Sequence, residues 1–240
     1  MRGLRALVVL VAALSVTTAG VSEAHGACST AVHPLGTQRV AYAGYATHGA
    51  VAYRTPGGAE LARFGARNVN EYPTVFAVRA WTRGRDCRAR WYRVQLPIRP
   101  NGSTGWVRAG SLALERVTTR IVVDLSERRL RLYRGGRLVL HAPVGIGAPV
   151  TPTPTGSYYV NQRLVPENAS GPFGPAALGI SAFSPTLTWW PQGGPIAIHG
   201  TDEPSSIGHA ASNGCIRLRN AILRRVFAAT DAGTPVLVRP

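Results

Sequence analysis

One short stretch of this chain, beginning at Asn220, places apolar residues at helical spacing: Ile222, Leu223, Val226 and Phe227 share a face, and Gly233 follows. Elsewhere the pattern is short runs of period two broken by Gly and Pro. A chain with one helix must bury its strands largely against one another, so the fold class is mainly β. Asn220 is the expected N-cap of that helix.

The strand runs fall into two groups. The first covers 39–116. Val40 to Ala43 alternates, Val75 to Val78 is apolar, and Trp91 to Leu96 alternates again. Asn101-Gly102 then marks a turn into Gly105-Trp106-Val107. A small barrel fits these lengths. The second group covers 119–240. Ile121 to Leu125 reads as a buried strand, and Leu130 and Leu132 alternate with arginines. Gly135-Gly136 is the central pair of a primed hairpin turn, with Leu138 and Leu140 on the return strand. Strands are also expected at Ser157–Val160, Pro195–His199 and Pro235–Val238. Residues 164–194 carry many Pro and Gly and the pair Trp189-Trp190, and read as a long functional loop.

Residues 1–24 have the layout of an export signal. Arg2 and Arg5 precede the apolar run Ala6–Ser15, and Ser22 and Ala24 stand at the −3 and −1 positions of a cleavage site. The run is shorter than the ~20 apolar residues of a membrane span, and no twin-Arg pair is present, so a Sec-type route to periplasm or cell wall is expected. Residues 25–38 form a polar arm. The net charge of +16 draws an exported protein toward anionic wall polymers. Its arginines are scattered rather than gathered into a stripe with aromatics, which argues against nucleic acid as a partner. Nothing in the sequence specifies an oligomeric state.

The chain has three cysteines, an odd number for an oxidising compartment. Either Cys28 and Cys87 form a disulfide, or Cys28 is loose and Cys87 simply buried. In both cases Cys215 is left as a thiol. It lies in the segment Ile196–Leu218, IAIHGTDEPSSIGHAASNGCIRL. Ile196 and Ile198 share one face of a strand, so His199 emerges on the other. A free thiol, with pKa ~8.5, is only a few per cent thiolate at neutral pH. A neighbouring imidazole supplies the base that makes it nucleophilic. His199 is that candidate base, and the Gly200 carbonyl is positioned to hold its other ring nitrogen. Gly214 permits a close backbone approach, and the N–H groups of Gly214 and Cys215 are candidate oxyanion donors. His before Cys argues against a papain-like arrangement. The spacing of His199, His209 and Cys215 matches no standard zinc site, so no metal and no cofactor are expected.

Two resemblances sharpen this. The run WYRVQLPIRPNGSTGWV resembles bacterial SH3-like domains, in which a W-x-x-V strand precedes a G-W-V strand. From Arg120 onward the chain resembles the L,D-transpeptidase catalytic domain of the YkuD family. IVVDLSERRLRLYRGGRLV is similar to its opening hairpin, TPTPTGSYYV to its T-P-x-G segment and PFGPAALGI to the loop before its site. IHGT, SIG and SNGCIRL resemble its signature H-G-T…S-x-G-C-[IV]-R-[LM]. Asn213 departs from the His found there in many members, which leaves His199 as the one strong candidate base.

The resemblance implies acyl transfer on peptidoglycan stem peptides. Cys215 would attack the carbonyl of the third residue of a tetrapeptide, expel D-Ala and pass the acyl group to a diamino-acid side chain, giving a 3→3 cross-link. It implies Arg217 as a holder of substrate carboxylate or a brace of the Cys loop. Thr201, Ser212 and Asn213 would lie near substrate, and Trp189 and Trp190 would wall the groove. It also implies acylation of Cys215 by carbapenems. Two alternatives stand beside it: an L,D-carboxypeptidase in which water takes the acyl group, and a non-catalytic wall-binding protein. A sortase-like reading fits less well, because Arg217 adjoins Cys215.

Overall fold

The computed structural model describes residues 31–240. The expected signal over 1–24, most of the arm, and Cys28 lie outside the described residues. The fold is mainly β, as the strand pattern implies.

The first region runs through β1 (His33–Pro34), β2 (Ala41–Ala46), β3 (Ala50–Tyr53), β4 (Glu60–Phe64), β5 (Val75–Arg83), β6 (Ala89–Gln95), β7 (Thr104–Arg108) and β8 (Leu112–Val117). These form one sheet in the order β4-β3-β7-β6-β5-β2-β8, with β1 on β5. Every pairing is antiparallel. Phe76, Val94, Leu96 and Val107 are fully buried in its core. Burial of each such side chain contributes about 1.5–3 kcal/mol.

The second region contains β9 (Thr119–Asp124), β10 (Arg129–Arg134), β11 (Arg137–Pro143), β12 (Ile146–Gly147), β13 (Gly156–Leu164), β14 (Ala177–Phe183), β15 (Pro195–His199), β16 (Ala210–Ser212), β17 (Ile216–Arg217) and β18 (Pro235–Arg239). Helix α1 (Asn220–Ala229) lies between β17 and β18. The main sheet is ordered β11-β10-β9-β18-β13-β14-β15-β17, and β12 pairs with β16. Gly135 and Gly136 both have positive φ, 57° and 87°, as a primed two-residue turn requires. The helix buries Leu223 and Val226 in the core that Ile121, Leu178, Ile196, Ile198 and Ile216 build.

Two expectations are corrected. Residues 164–194 are not one loop, because β14 runs through their middle. Its sequence ALGISAF is buried on both faces, and a strand covered on both sides has no polar face to produce alternation. Asn220 is not the N-cap either: Arg219 occupies that position. The Asn220 side chain instead turns away and accepts a hydrogen bond from Thr201 N–H at 2.8 Å.

The first region packs against β13, an inner strand of the second sheet. Tyr159 OH donates to Val75 O at 3.0 Å, Gln95 Nε2 to Ser157 O at 2.7 Å, and Asn68 Nδ2 to Gln162 Oε1 at 2.9 Å. Ala43, Val75 and Val117 share an apolar cluster with Ala232. Arg99 donates to Ser184 O and Gly193 O, each at 2.7 Å, tying the 184–194 loop to the first region.

Candidate active site

The parallel pair β15–β17 sets the site. Ile198 lies opposite Ile216, and His199 opposite Arg217. Ile196, Ile198 and Ile216 are all in the core. Successive residues on a strand point to opposite faces, so Ala197, His199, Cys215 and Arg217 project together from the other face. Cys215 directly precedes β17, and its Sγ accepts a hydrogen bond from Ala197 N–H at 3.4 Å.

His199 is buried, with Nδ1 2.5 Å from Gly200 O. A carbonyl oxygen only accepts, so Nδ1 carries the proton and Nε2 presents its lone pair. Phe173 meets the imidazole edge-on, with ring centroids 5.0 Å apart. Burial pushes the His199 pKa down to about 4, and the Arg217 charge adds to this; the Gly200 hydrogen bond and Asp202 oppose it. Burial also raises the Cys215 thiol, while the Ala197 N–H and Arg217 pull it back. Both directions favour a neutral thiol beside a neutral imidazole in the resting site.

The turn carrying Cys215 is clamped from within. Ser212 Oγ donates to Cys215 O at 2.6 Å and accepts from Gly214 N–H at 3.2 Å. Gly214 has φ 108°, and a Cβ there would stand 3.0 Å from Ile196 Cδ1, so glycine is required. A second clamp comes from the Pro-rich segment. Thr153 Oγ1 donates to Gly214 O at 2.9 Å and accepts from Gly147 N–H at 2.8 Å. Thr151 Oγ1 donates to Ser212 O at 3.0 Å.

The turn after His199 is held differently. A Cβ on Gly200 would meet Asn220 Oδ1 at 2.3 Å and Gly174 Cα at 3.0 Å. The loop before β14 and the turn after β15 therefore touch backbone to backbone, with Asn220 laid across them. Thr201 Oγ1 accepts from Glu203 N–H at 3.0 Å, and Glu203 Oε2 pairs with Arg217 NH1 at 2.7 Å.

Among the expected site residues, Cys215, His199, Gly200, Gly214 and Arg217 come together as described. Thr201 and Ser212 are both buried, and their hydroxyls take part in the hydrogen bonding of the two turns. Asn213 is exposed at the tip of the Cys turn. Trp189 and Trp190 are exposed and stack edge to face, 6.2 Å between centroids, rather than filling a core. Thr151, Thr153, Phe173, Glu203 and Asn220 were not expected at the site. For the two threonines the signal was present as hydroxyls within TPTPT, which otherwise reads only as a turn. Cys215 is a free thiol, and Cys87 is engaged in a disulfide. Among the described residues no group of three His, Cys, Asp or Glu side chains is arranged to hold a metal.

The chain is similar to known proteins of one family. The pattern of the YkuD family, described as the L,D-transpeptidase catalytic domain, matches residues 118–238. A Bacillus licheniformis protein named as the L,D-transpeptidase YkuD is 34% identical over 152 residues, covering 60% of this chain and 84% of the relative. Its Bacillus subtilis namesake is 33% identical over 118 residues, covering 49% of this chain and 64% of the relative, just under two thirds of its length. A crystal structure of the Enterococcus faecium L,D-transpeptidase is similar at 27% identity, with a TM-score of 0.40, over 50% of this chain and 49% of that one.

Proposed function

Because the chain belongs to the YkuD family of L,D-transpeptidase catalytic domains, we propose that it is an exported peptidoglycan L,D-transpeptidase with Cys215 as its nucleophile. The observation that carries this reading is the shared face of Cys215 and His199 across a parallel strand pair, with His199 Nδ1 held by the Gly200 carbonyl.

In this reading His199 Nε2 takes the thiol proton as Sγ attacks the carbonyl of the third stem residue. Burial keeps the imidazole neutral, the state a base needs before it acts. The Cys215 N–H receives the oxyanion, assisted by the Gly214 N–H that also touches Ser212 Oγ. The imidazolium returns its proton to the departing D-Ala amine, leaving a thioester on Cys215. The side-chain amine of a diamino acid then attacks, His199 again accepts a proton, and collapse regenerates the thiol with a 3→3 cross-link. Arg217, anchored by Glu203, stabilises negative charge at the site. The exposed tryptophans and Asn213 line the approach for substrate.

The first region is proposed as an SH3-like unit over 39–116 that sits against the catalytic unit over 119–240. A disulfide at Cys87 supports export to an oxidising compartment, with Cys28 as its proposed partner. The +16 charge supports attraction to anionic wall polymers.

The test incubates the full chain with disaccharide-tetrapeptide and follows products by mass spectrometry. A cross-linked dimer that has lost one D-Ala is expected. A tripeptide alone would instead mark a carboxypeptidase. Cys215→Ala should abolish both turnover and covalent labelling by a carbapenem; labelling that survives the substitution removes Cys215 from its role.

A further inference from the structure

A cavity of about 380 Å³ lies between the two regions, walled by Asn68 and Asn70 from the first and by Asn161, Gln162, Gln192 and Pro195 from the second. Arg63, Arg67 and Thr74 of the first region line it as well, so its polar wall combines carboxamides with cationic groups. Pro195 has the same strand parity as Ala197 and His199, so the cavity opens on the face that carries the nucleophile.

Strand register ties the cavity to Cys215. Gln162 lies opposite Gly179, Gly179 opposite Ala197, and the Ala197 N–H touches Cys215 Sγ. Residues opposite one another in a ladder project from the same face, so these groups form one row across the sheet. At about 4.8 Å per strand, Gly179 lies roughly 10 Å from Cys215. Gly179 leaves room for the neighbouring side chain: a Cβ there would meet Gln162 Cγ at 2.5 Å and Nε2 at 2.7 Å.

The orientation of Gln162 is fixed chemically. Its Oε1 accepts from Asn68 Nδ2 and from Asn70 Nδ2, each at 2.9 Å. Both donors come from the first region, and only a carbonyl oxygen can accept them. Nε2 is therefore the end directed over Gly179. Gln162 is itself 7% exposed, so few waters compete for that donor. Asn161 sits at an irregularity in the β13–β14 ladder, between Val160 and Gln162. Its Oδ1 is buried without a hydrogen-bond partner, and a buried acceptor of this kind is costly unless something meets it. Two adjacent lining residues thus carry a donor, Gln162 Nε2, and an unpartnered acceptor, Asn161 Oδ1, the complement of a secondary amide.

We propose that this cavity is a second substrate subsite, in which Gln162 Nε2 and Asn161 Oδ1 bind a secondary amide of the acyl-donor strand about 10 Å from the attacked carbonyl. The proposal rests on the acyl-transfer reading above. Asn68 and Asn70 are positioning residues that aim the Gln162 amide, so the first region takes part in substrate selection. A secondary amide occurs in two places on such a donor: the backbone of the stem peptide and the acetamido groups of the sugars that bear it.

The experiment has a kinetic arm and a binding arm. In the first, Gln162→Glu and Asn161→Ala full-length chains are assayed on disaccharide-tetrapeptide, with kcat and KM measured separately. Gln162→Glu keeps the shape and the acceptor for Asn68 and Asn70 but replaces the donor. We expect KM to rise about tenfold in each variant, the size of one lost hydrogen bond, with kcat and carbapenem labelling of Cys215 within twofold of the parent. An unchanged KM in both variants overturns the proposal, as does a fall in kcat and melting temperature without a change in KM. In the second arm, the Gln162 side-chain amide signal of the Cys215→Ala chain is followed by NMR during titration with free tetrapeptide and, separately, with the sugar disaccharide alone. A shift with the peptide assigns the amide to the stem, and a shift with the disaccharide assigns it to the acetamido group. A shift with neither overturns the subsite. Because this arm needs no turnover, it separates failure of the subsite from failure of the catalytic reading.

Discussion

The two eight-stranded sheets pair by different rules. The first is antiparallel throughout. The second region contains three parallel pairs, β12–β16, β15–β17 and β9–β18. Antiparallel neighbours can be joined by a tight turn, whereas parallel neighbours need a longer return of the chain. The return from β15 to β17 is the segment that starts at His199 and ends at Cys215. The chemical groups therefore gather where pairing changes direction, and the antiparallel sheet contributes walls and anchors. The same contrast appears in hydrogen bonding. The Cys215 turn is held by the hydroxyls of Ser212, Thr151 and Thr153, while the first region is held chiefly by an apolar core around Phe76 and Leu96.

The contrast breaks most clearly at His199. His199→Ala should reduce turnover per folded molecule by about 10²–10⁴-fold, the loss of a general base; steady-state rates that do not change would remove His199 from the site. Phe76→Ala, in the first sheet, should act the opposite way. It should cost about 3–5 kcal/mol of stability, measured by denaturant unfolding, with kcat per folded molecule unchanged. A large fall in kcat there would mean that the first core does more than support the catalytic unit.

The pH dependence of stability gives a smaller effect with a definite sign. In the folded chain His199 is held to about 4, against an ordinary value of 6.5. Between these values the unfolded chain binds a proton that the folded chain refuses. Stability should therefore be complete above about pH 6.5 and fall as pH drops toward 4, by at most about 3 kcal/mol. Unfolding midpoints for the parent and His199→Gln across this range check it, and the variant should lose that part of the slope. The smallest effect sharpens the comparison at the Cys turn. Thr153→Val keeps shape but leaves Gly147 N–H and Gly214 O without their hydroxyl, at a cost of about 1–3 kcal/mol. Roughly tenfold slower turnover is expected from a loosened turn, the rate equivalent of about 1.4 kcal/mol. Normal turnover in that variant would leave the Ser212 clamp as sufficient by itself.

Much of this was legible before any coordinates. The Gly135-Gly136 hairpin, the separation of Ile196 and Ile198 from His199, and the need for glycine at 214 follow from local rules of strand parity and backbone freedom. Strand β14 was not legible, because a segment of Ala, Gly, Ile and Ser buried on both faces looks like the loops beside it. Asn220 was misread for a related reason. Its type and position suit a helix cap, but the Thr201 N–H that takes its oxygen comes from a turn nineteen residues away. The roles of Ser212 and Thr201 depended in the same way on partners that the surrounding turns supply.

The amino-acid sequence by itself determined the mainly-β class, helix α1, the odd thiol and the family signature around His199 and Cys215. These are properties of neighbouring residues, and periodicity and residue chemistry suffice to read them. Only the tertiary structure decided that His199 and Cys215 share a face, that TPTPT holds the nucleophile's turn, and that Asn68 and Asn70 fix the orientation of the Gln162 amide. Those contacts join residues far apart in the chain. Their cause is sheet register, which is set by how all the strands pack together and not by any local run of sequence.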